Sequence, residues 1–301
     1  MKYDALNIHI QLYNNLSKKT VCNNYKKLLQ NELKITNLDH CIFSTAEHLA
    51  PFNTKNTVSF LIPQLLLQHY NIVEKKDIII LAGSLIPLDN IDYPRGFFLI
   101  DEKKKALNLF SQKYKKSCVL LNKSLFYTDI MDKGKDYFFN EYDYLKKIFQ
   151  HKYENFAVQQ AVIMQKIVQK WSFESGNVYV KPLEFVARNI LIKLLEEDDV
   201  YIKILFNNLT FFKIETYNVF CSWTKNKGTF LFWEVTGNQI TRIVYSNKKF
   251  IGKKLQFSNN MKEILNLLKE NKILPSVSLS LFIVSWLPNI SVAGGHRQYW
   301  N

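Results

Sequence analysis

Apolar positions along the chain recur at two spacings, and together they predict alternating helices and strands. In residues 18–34, Val21, Tyr25, Leu28, Leu29 and Leu33 fall on one stripe, the spacing of an amphipathic helix. HCIFST (40–45) reads as a short strand that breaks into the polar turn AEHLAPFNTKN. TVSFLIPQLLLQHYNIV (57–73) then predicts a buried helix in spite of Pro63. DIIILAG (77–83) is a continuous β-branched run of the kind that parallel strands covered on both faces require. Strand, loop, helix, strand is a βαβ unit. The loop SLIPLDNIDYPRG follows, then two further apolar runs, FFLI (97–100) and CVLL (118–121).

From about 136 to 206 the spacing turns helical, with Pro182 suited to a first turn. From 211 the period becomes that of strands: FFKIETYNVFCSW, TFLFWEV and ITRIVYS, separated by segments that hold Gly228 and Gly237 for turns. NNMKEILNLLKENKIL predicts a helix capped by Asn259 or Asn260, and VSLSLFIVSWL (277–287) a last core strand. The expected fold class is α/β: a Rossmann-like, mainly parallel sheet built by residues 40–121 and 211–298, with the helical segment 136–206 inserted. Residues 1–301 would then form a single α/β core domain.

Composition narrows the class. With 301 residues, 47% apolar and 22% charged, and only 9 Gly and 7 Pro, the chain has the makings of a packed core and not of a disordered or collagen-like protein. A net charge of +14 attracts anions, whether small metabolites, nucleotides or nucleic acid. Only Arg95, Arg188, Arg242 and Arg297 among the 40 basic residues are arginines. A chain that defaults to Lys and keeps Arg is expected to need the planar guanidinium fork at some of these positions. Cys22, Cys41, Cys118 and Cys221 stand far apart with no CxxC pair, so free thiols are expected and no metal site. There is no leader-like start and no run of 18 apolar residues, from which a cytoplasmic location and no membrane span are expected.

Three polar segments follow expected strands. The first holds Thr45, Glu47, His48 and Asn53, a turn leading into a helix, where free backbone N–H groups suit an anion and His48 suits acid/base work. The second holds Asp89, Asn90, Asp92 and Arg95, groups able to orient an amine and grip a carboxylate, although these are also ordinary turn formers. The third is Gly294, Gly295, His296 and Arg297, where paired glycines allow close backbone approach to a ligand. No GxGxxG and no GxxxxGK[ST] is present.

The closing stretch combines a strand bearing Arg242, a Lys- and Gly-containing turn, a helix ending near LLKEN, the entry Pro275 to Ser278, Leu287-Pro288, Gly294-Gly295 and Tyr299-Trp300. In this it resembles the core domain of the cysteine-adding ligases of bacillithiol synthesis. STAEHLAPFNTKN is similar to that family's Thr-Gly-Gln-Gln turn, with Thr45 at the Thr and Glu47 and His48 at the Gln positions. The resemblance implies a Rossmann-like core with helical inserts, a C-terminal coiled coil, which this chain, stopping at Asn301, is expected to lack, and the joining of cysteine to a sugar-malate acceptor. His296-Arg297-Gln298 and the loop PLDNIDYPRG depart from the family pattern, which points to a divergent member with another substrate. The expected function is therefore the joining of an amino acid or amine to a small anionic acceptor. His48, Asp89 and Asp92 would be catalytic, and Thr45, Glu47, Asn53, Asn90, Arg95, Gly294, Gly295 and Arg297 would bind substrate. A nucleotide is compatible as cofactor, and the oligomeric state is left open. The alternatives are a basic nucleic-acid-binding protein and a non-catalytic interaction subunit.

Overall fold

The computed structural model describes residues 20–46, 62–90, 93–94, 96–100, 106–132, 143–171, 176–209 and 229–293. Helix α1 (Thr20–Leu33) comes first, followed by a 3-10 turn (Leu38–His40), strand β1 (Cys41–Ala46), helix α2 (Ile62–His69) and strand β2 (Asp77–Ala82). Two hairpins, β3 (Asp89–Asn90) with β4 (Tyr93–Pro94) and β5 (Gly96–Ile100) with β6 (Ala106–Asn108), lead through 3-10 turns to helices α3 (Tyr127–Met131), α4 (Asp143–Phe149) and α5 (Phe156–Trp171). Strand β7 (Val178–Pro182) precedes α6 (Leu183–Glu196) and α7 (Val200–Asn207). The rest runs β8 (Phe232–Thr236), β9 (Gln239–Arg242), β10 (Val244–Ser246), β11 (Lys249–Ile251), β12 (Gln256–Ser258), α8 (Met261–Lys269), β13 (Ile273–Pro275), α9 (Val277–Leu281), a π-helical turn (Phe282–Trp286) and β14 (Val292–Ala293). This is a mixed α/β chain whose contacts divide it into two compact units.

One unit comprises the described parts of 39–185, 237–240 and 292–301 and holds the parallel sheet, in the order β14-β1-β2-β7. β2 lies between two neighbours and is buried from Ile78 to Ala82, as its unbroken apolar run requires. At the sheet edge β7 alternates, with Val178, Val180 and Pro182 buried and Tyr179 and Lys181 partly exposed. Helix α5 packs on β7. Pro63 is tolerated because α2 begins at Ile62, which puts the missing N–H in the first turn. Residues 57–61 of that expected helix lie outside the described residues.

The other unit comprises the described parts of 1–38, 186–236 and 241–291, with the antiparallel pair β13-β8 and the antiparallel sheet β10-β11-β12. Its core stacks rings: Phe206 on Phe232 at 5.9 Å, Phe232 against Phe250 at 5.6 Å, and Phe250 on Phe257 at 4.8 Å. Each such pair contributes about 0.5–1.5 kcal/mol beyond the area it buries. Asn260 caps α8 by accepting the N–H groups of Lys262 and Glu263.

Four expectations are corrected. Among the described residues, 40–121 and 211–298 do not form one mainly parallel sheet: of their described strands only β1, β2 and β14 join the parallel sheet, and β8 to β13 lie in antiparallel sheets of their own. FFLI belongs to an antiparallel hairpin, and CVLL is a 3-10 turn. The stretch 136–206 is not helical throughout, since β7 interrupts it and supplies a strand of the parallel sheet. Residues 277–287 are helical: Ser276 accepts the Leu279 N–H as a cap, and the buried Leu279, Ile283, Val284 and Leu287 recur at helical spacing. FFKIETYNVFCSW and Gly228 lie outside the described residues.

Candidate functional site

In a parallel sheet all carboxyl ends open on one edge, and the register aligns four of them here. Ala46 stands beside Ala82, Ala82 beside Pro182, and Ser44 beside Ala293. The chain leaves β1 toward β2 on one side, while β14 arrives on the other side of β1. That is a topological switch point, the place where open α/β sheets hold ligands. Ser44 and Thr45, at the end of β1, are buried.

Of the predicted site residues, Thr45 is the last but one of β1, and Asp89 and Asn90 form β3, paired with Pro94 and Tyr93. Glu47, His48, Asn53, Asp92, Arg95, Gly294, Gly295 and Arg297 lie outside the described residues. The strands that lead into the first and third polar segments, β1 and β14, are neighbours.

Next to this edge lies a polar cluster that the sequence did not single out. Ser84, two residues past β2, gives both its N–H and its hydroxyl to the Glu184 carboxylate, at 2.7 and 2.8 Å. Glu184 stands in the first turn of α6, directly after β7, and both residues are fully buried. Burial pushes the Glu184 carboxyl up from the usual carboxylate range, against the N–H groups of Ser84, Leu85 and Glu184 itself, which favour its anion. The Ser84 carbonyl accepts the Leu120 N–H at 3.2 Å and the Cys118 thiol at 3.4 Å. Two more bonds tie the segments together: Val119 N–H to Ile86 at 2.9 Å, and Leu88 N–H to Ser117 at 2.8 Å. Residues 84–88 are thus held by Glu184 and by the turn at 117–120. Burial pushes the Cys118 thiol up to about 12 and that of the half-buried Cys41 to about 11, so neither is a thiolate near neutrality.

Asn122 and Gln159 extend the buried polar groups. Asn122 donates to the Cys118 carbonyl at 2.6 Å and accepts the Phe156 N–H on its own carbonyl at 2.8 Å. Gln159 clasps the backbone of Leu125 with both ends of its amide, at 2.8 and 2.7 Å. The cluster as a whole pins the chain that leaves the carboxyl edge of the sheet.

The retained Arg188 does use its fork, on protein rather than ligand: Nε and Nη2 both donate to the Leu268 carbonyl in the last turn of α8, at 3.2 and 2.9 Å. Among the described residues no group of three or more His, Cys, Asp and Glu could hold a metal, and no helix is long and apolar enough to cross a membrane. Compared with known proteins, the chain matches no family model and no curated protein.

Proposed function

We propose that the chain is an enzyme that binds a small anionic substrate at the carboxyl edge of the parallel sheet and joins an amine or amino acid to it, as the cysteine-adding ligases it resembles do with theirs. The sheet is then a Rossmann-like core. The observation that carries the reading is the pairing of β14 beside β1, which brings Thr45 and the chain leading into Gly294-Gly295 to adjacent strand ends at the switch point. The high positive charge favours an anionic ligand in the same direction.

Calorimetric titration with a panel of α-amino acids, dicarboxylates and nucleoside triphosphates tests it. The expected result is saturable binding of an anionic member that Arg297→Lys weakens by about 5- to 150-fold, the range for losing a charge-assisted hydrogen bond. Saturable binding of a single-stranded oligonucleotide, with none of the small anions bound, would overturn it in favour of the nucleic-acid reading.

A further inference from the structure

The Glu184 carboxylate takes every bond that α6 makes to the loop after β2 in the cluster described above. We propose that Glu184 is an ionisable latch: its protonation state sets how firmly residues 84–88 are held at the carboxyl edge of the sheet. The inference deepens the functional reading, since this loop runs into Asp89 and Asn90, but it is tested without any ligand.

The geometry allows two closed states. With Glu184 ionised, Ser84 donates its N–H at 2.7 Å and its hydroxyl at 2.8 Å. Both bonds end on Oε2; with Glu184 protonated there, the Ser84 hydroxyl can rotate to accept the acid proton, because a hydroxyl both donates and accepts, and the Ser84 N–H keeps that oxygen's remaining lone pair. Either state is fully buried, so the two differ in the cost of keeping a charge away from water. The titratable neighbour that senses Glu184 is Cys118, from the turn at 117–120, and its thiol stays neutral up to about pH 12. Along the chain the nearest charges are Lys181, partly exposed on β7, and Arg188 on α6, whose fork is spent on the Leu268 carbonyl. Nothing else on the loop titrates between Ser84 and Leu88.

The sign follows from linkage. Burial raises the carboxyl's affinity for its proton while the latch is closed; opening returns it to water and to the ordinary glutamate range. Closure is therefore fully favoured below the ordinary range and weakens as pH rises through the raised value. Between the two limits, opening becomes easier by up to about tenfold per pH unit, the limit for one linked proton.

Hydrogen exchange of the whole chain, read by mass spectrometry between about pH 5 and pH 9 and corrected for intrinsic rates, measures this opening. Protection of the 84–88 amides in the wild type is expected to fall with rising pH, whereas that of β2 stays level. In Glu184→Gln, whose amide keeps an acceptor for the Ser84 N–H and cannot ionise, protection of 84–88 should be level too. The same pH slope in Glu184→Gln as in the wild type would overturn the latch. Should that variant fail to fold, the wild type decides alone: equal slopes for 84–88 and for β2 sink the proposal. A protein that binds no small anion but shows this slope refutes the functional reading and leaves the latch standing.

Discussion

Of Gly176, Gly237 and Gly252, Gly176 is where one added methyl group meets backbone most closely. It immediately precedes Asn177 and β7, and a Cβ built on it would lie 2.1 Å from the Lys76 carbonyl oxygen, 2.5 Å from the Lys76 carbonyl carbon and 3.0 Å from the Asp77 nitrogen. All three are backbone atoms, so no side chain can swing aside. Relief requires the starts of β2 and β7 to separate by about 1 Å, because a carbon does not approach an oxygen much closer than ~3.2 Å. The bonds at that junction are Ile78 N–H to Asn177 O at 2.8 Å, Asn177 N–H to Asp77 Oδ1 at 2.9 Å, and Gly176 N–H to Gln68 Oε1 at 3.0 Å. Losing two of them costs about 2 kcal/mol, while the Gln68 oxygen keeps the Lys76 N–H, at 3.2 Å, as a donor. Gly176→Ala should therefore cost about 2 kcal/mol, which lowers the melting temperature by about 4–8 °C for units of this size. Gly237→Ala is the control: its φ of +59° strains an alanine, but nothing lies within 4 Å of the added atom, so the expected cost is about 1 kcal/mol. Thermal unfolding followed by circular dichroism, with urea titration for the free energies, measures both. A Gly176→Ala protein that melts within about 2 °C of wild type, or above Gly237→Ala, would refute the steric reasoning.

Two further substitutions test how the other unit is held. Arg188→Lys keeps the charge but cannot place two donors on the Leu268 carbonyl, and should cost about 1 kcal/mol by urea unfolding, with no change in the far-ultraviolet spectrum. Asn260→Ala removes the acceptor for the Lys262 and Glu263 N–H groups and should cost a further ~1 kcal/mol, whereas Asn260→Asp should hold stability near the wild-type value.

What could be read from the sequence depended on the range of the forces involved. β1, β2 and α8 were legible because their signals are local: an apolar run, or an amphipathic repeat behind an Asn cap. β7 was hidden because five residues of alternating pattern sit between two strong helical repeats. The run at 277–287 is ambiguous because an apolar segment of that length fits either a buried strand or a buried helix; the Ser276 cap, which accepts the Leu279 N–H, is the local sign that favours the helix. The place of Thr45 near the carboxyl end of a core strand could be anticipated from the HCIFST run. Ser84 and Glu184 could not be paired, because they meet across 100 residues of chain and only the β2–β7 register brings them together.

Arg188 also changes what the scarcity of arginine implies. In a chain that otherwise uses Lys for its positive charge, a retained Arg was expected to mark a partner that needs two parallel donors. Arg188 meets that expectation with a backbone carbonyl in the last turn of a helix, where a cation also complements the helix dipole. Retention thus identifies the fork as needed without naming what it grips. For Arg297 the discriminating comparison is therefore between stability and affinity in the same Arg297→Lys protein. A loss of affinity at unchanged melting temperature assigns its fork to the ligand. A lower melting temperature at unchanged affinity places it with Arg188, as a brace of the fold.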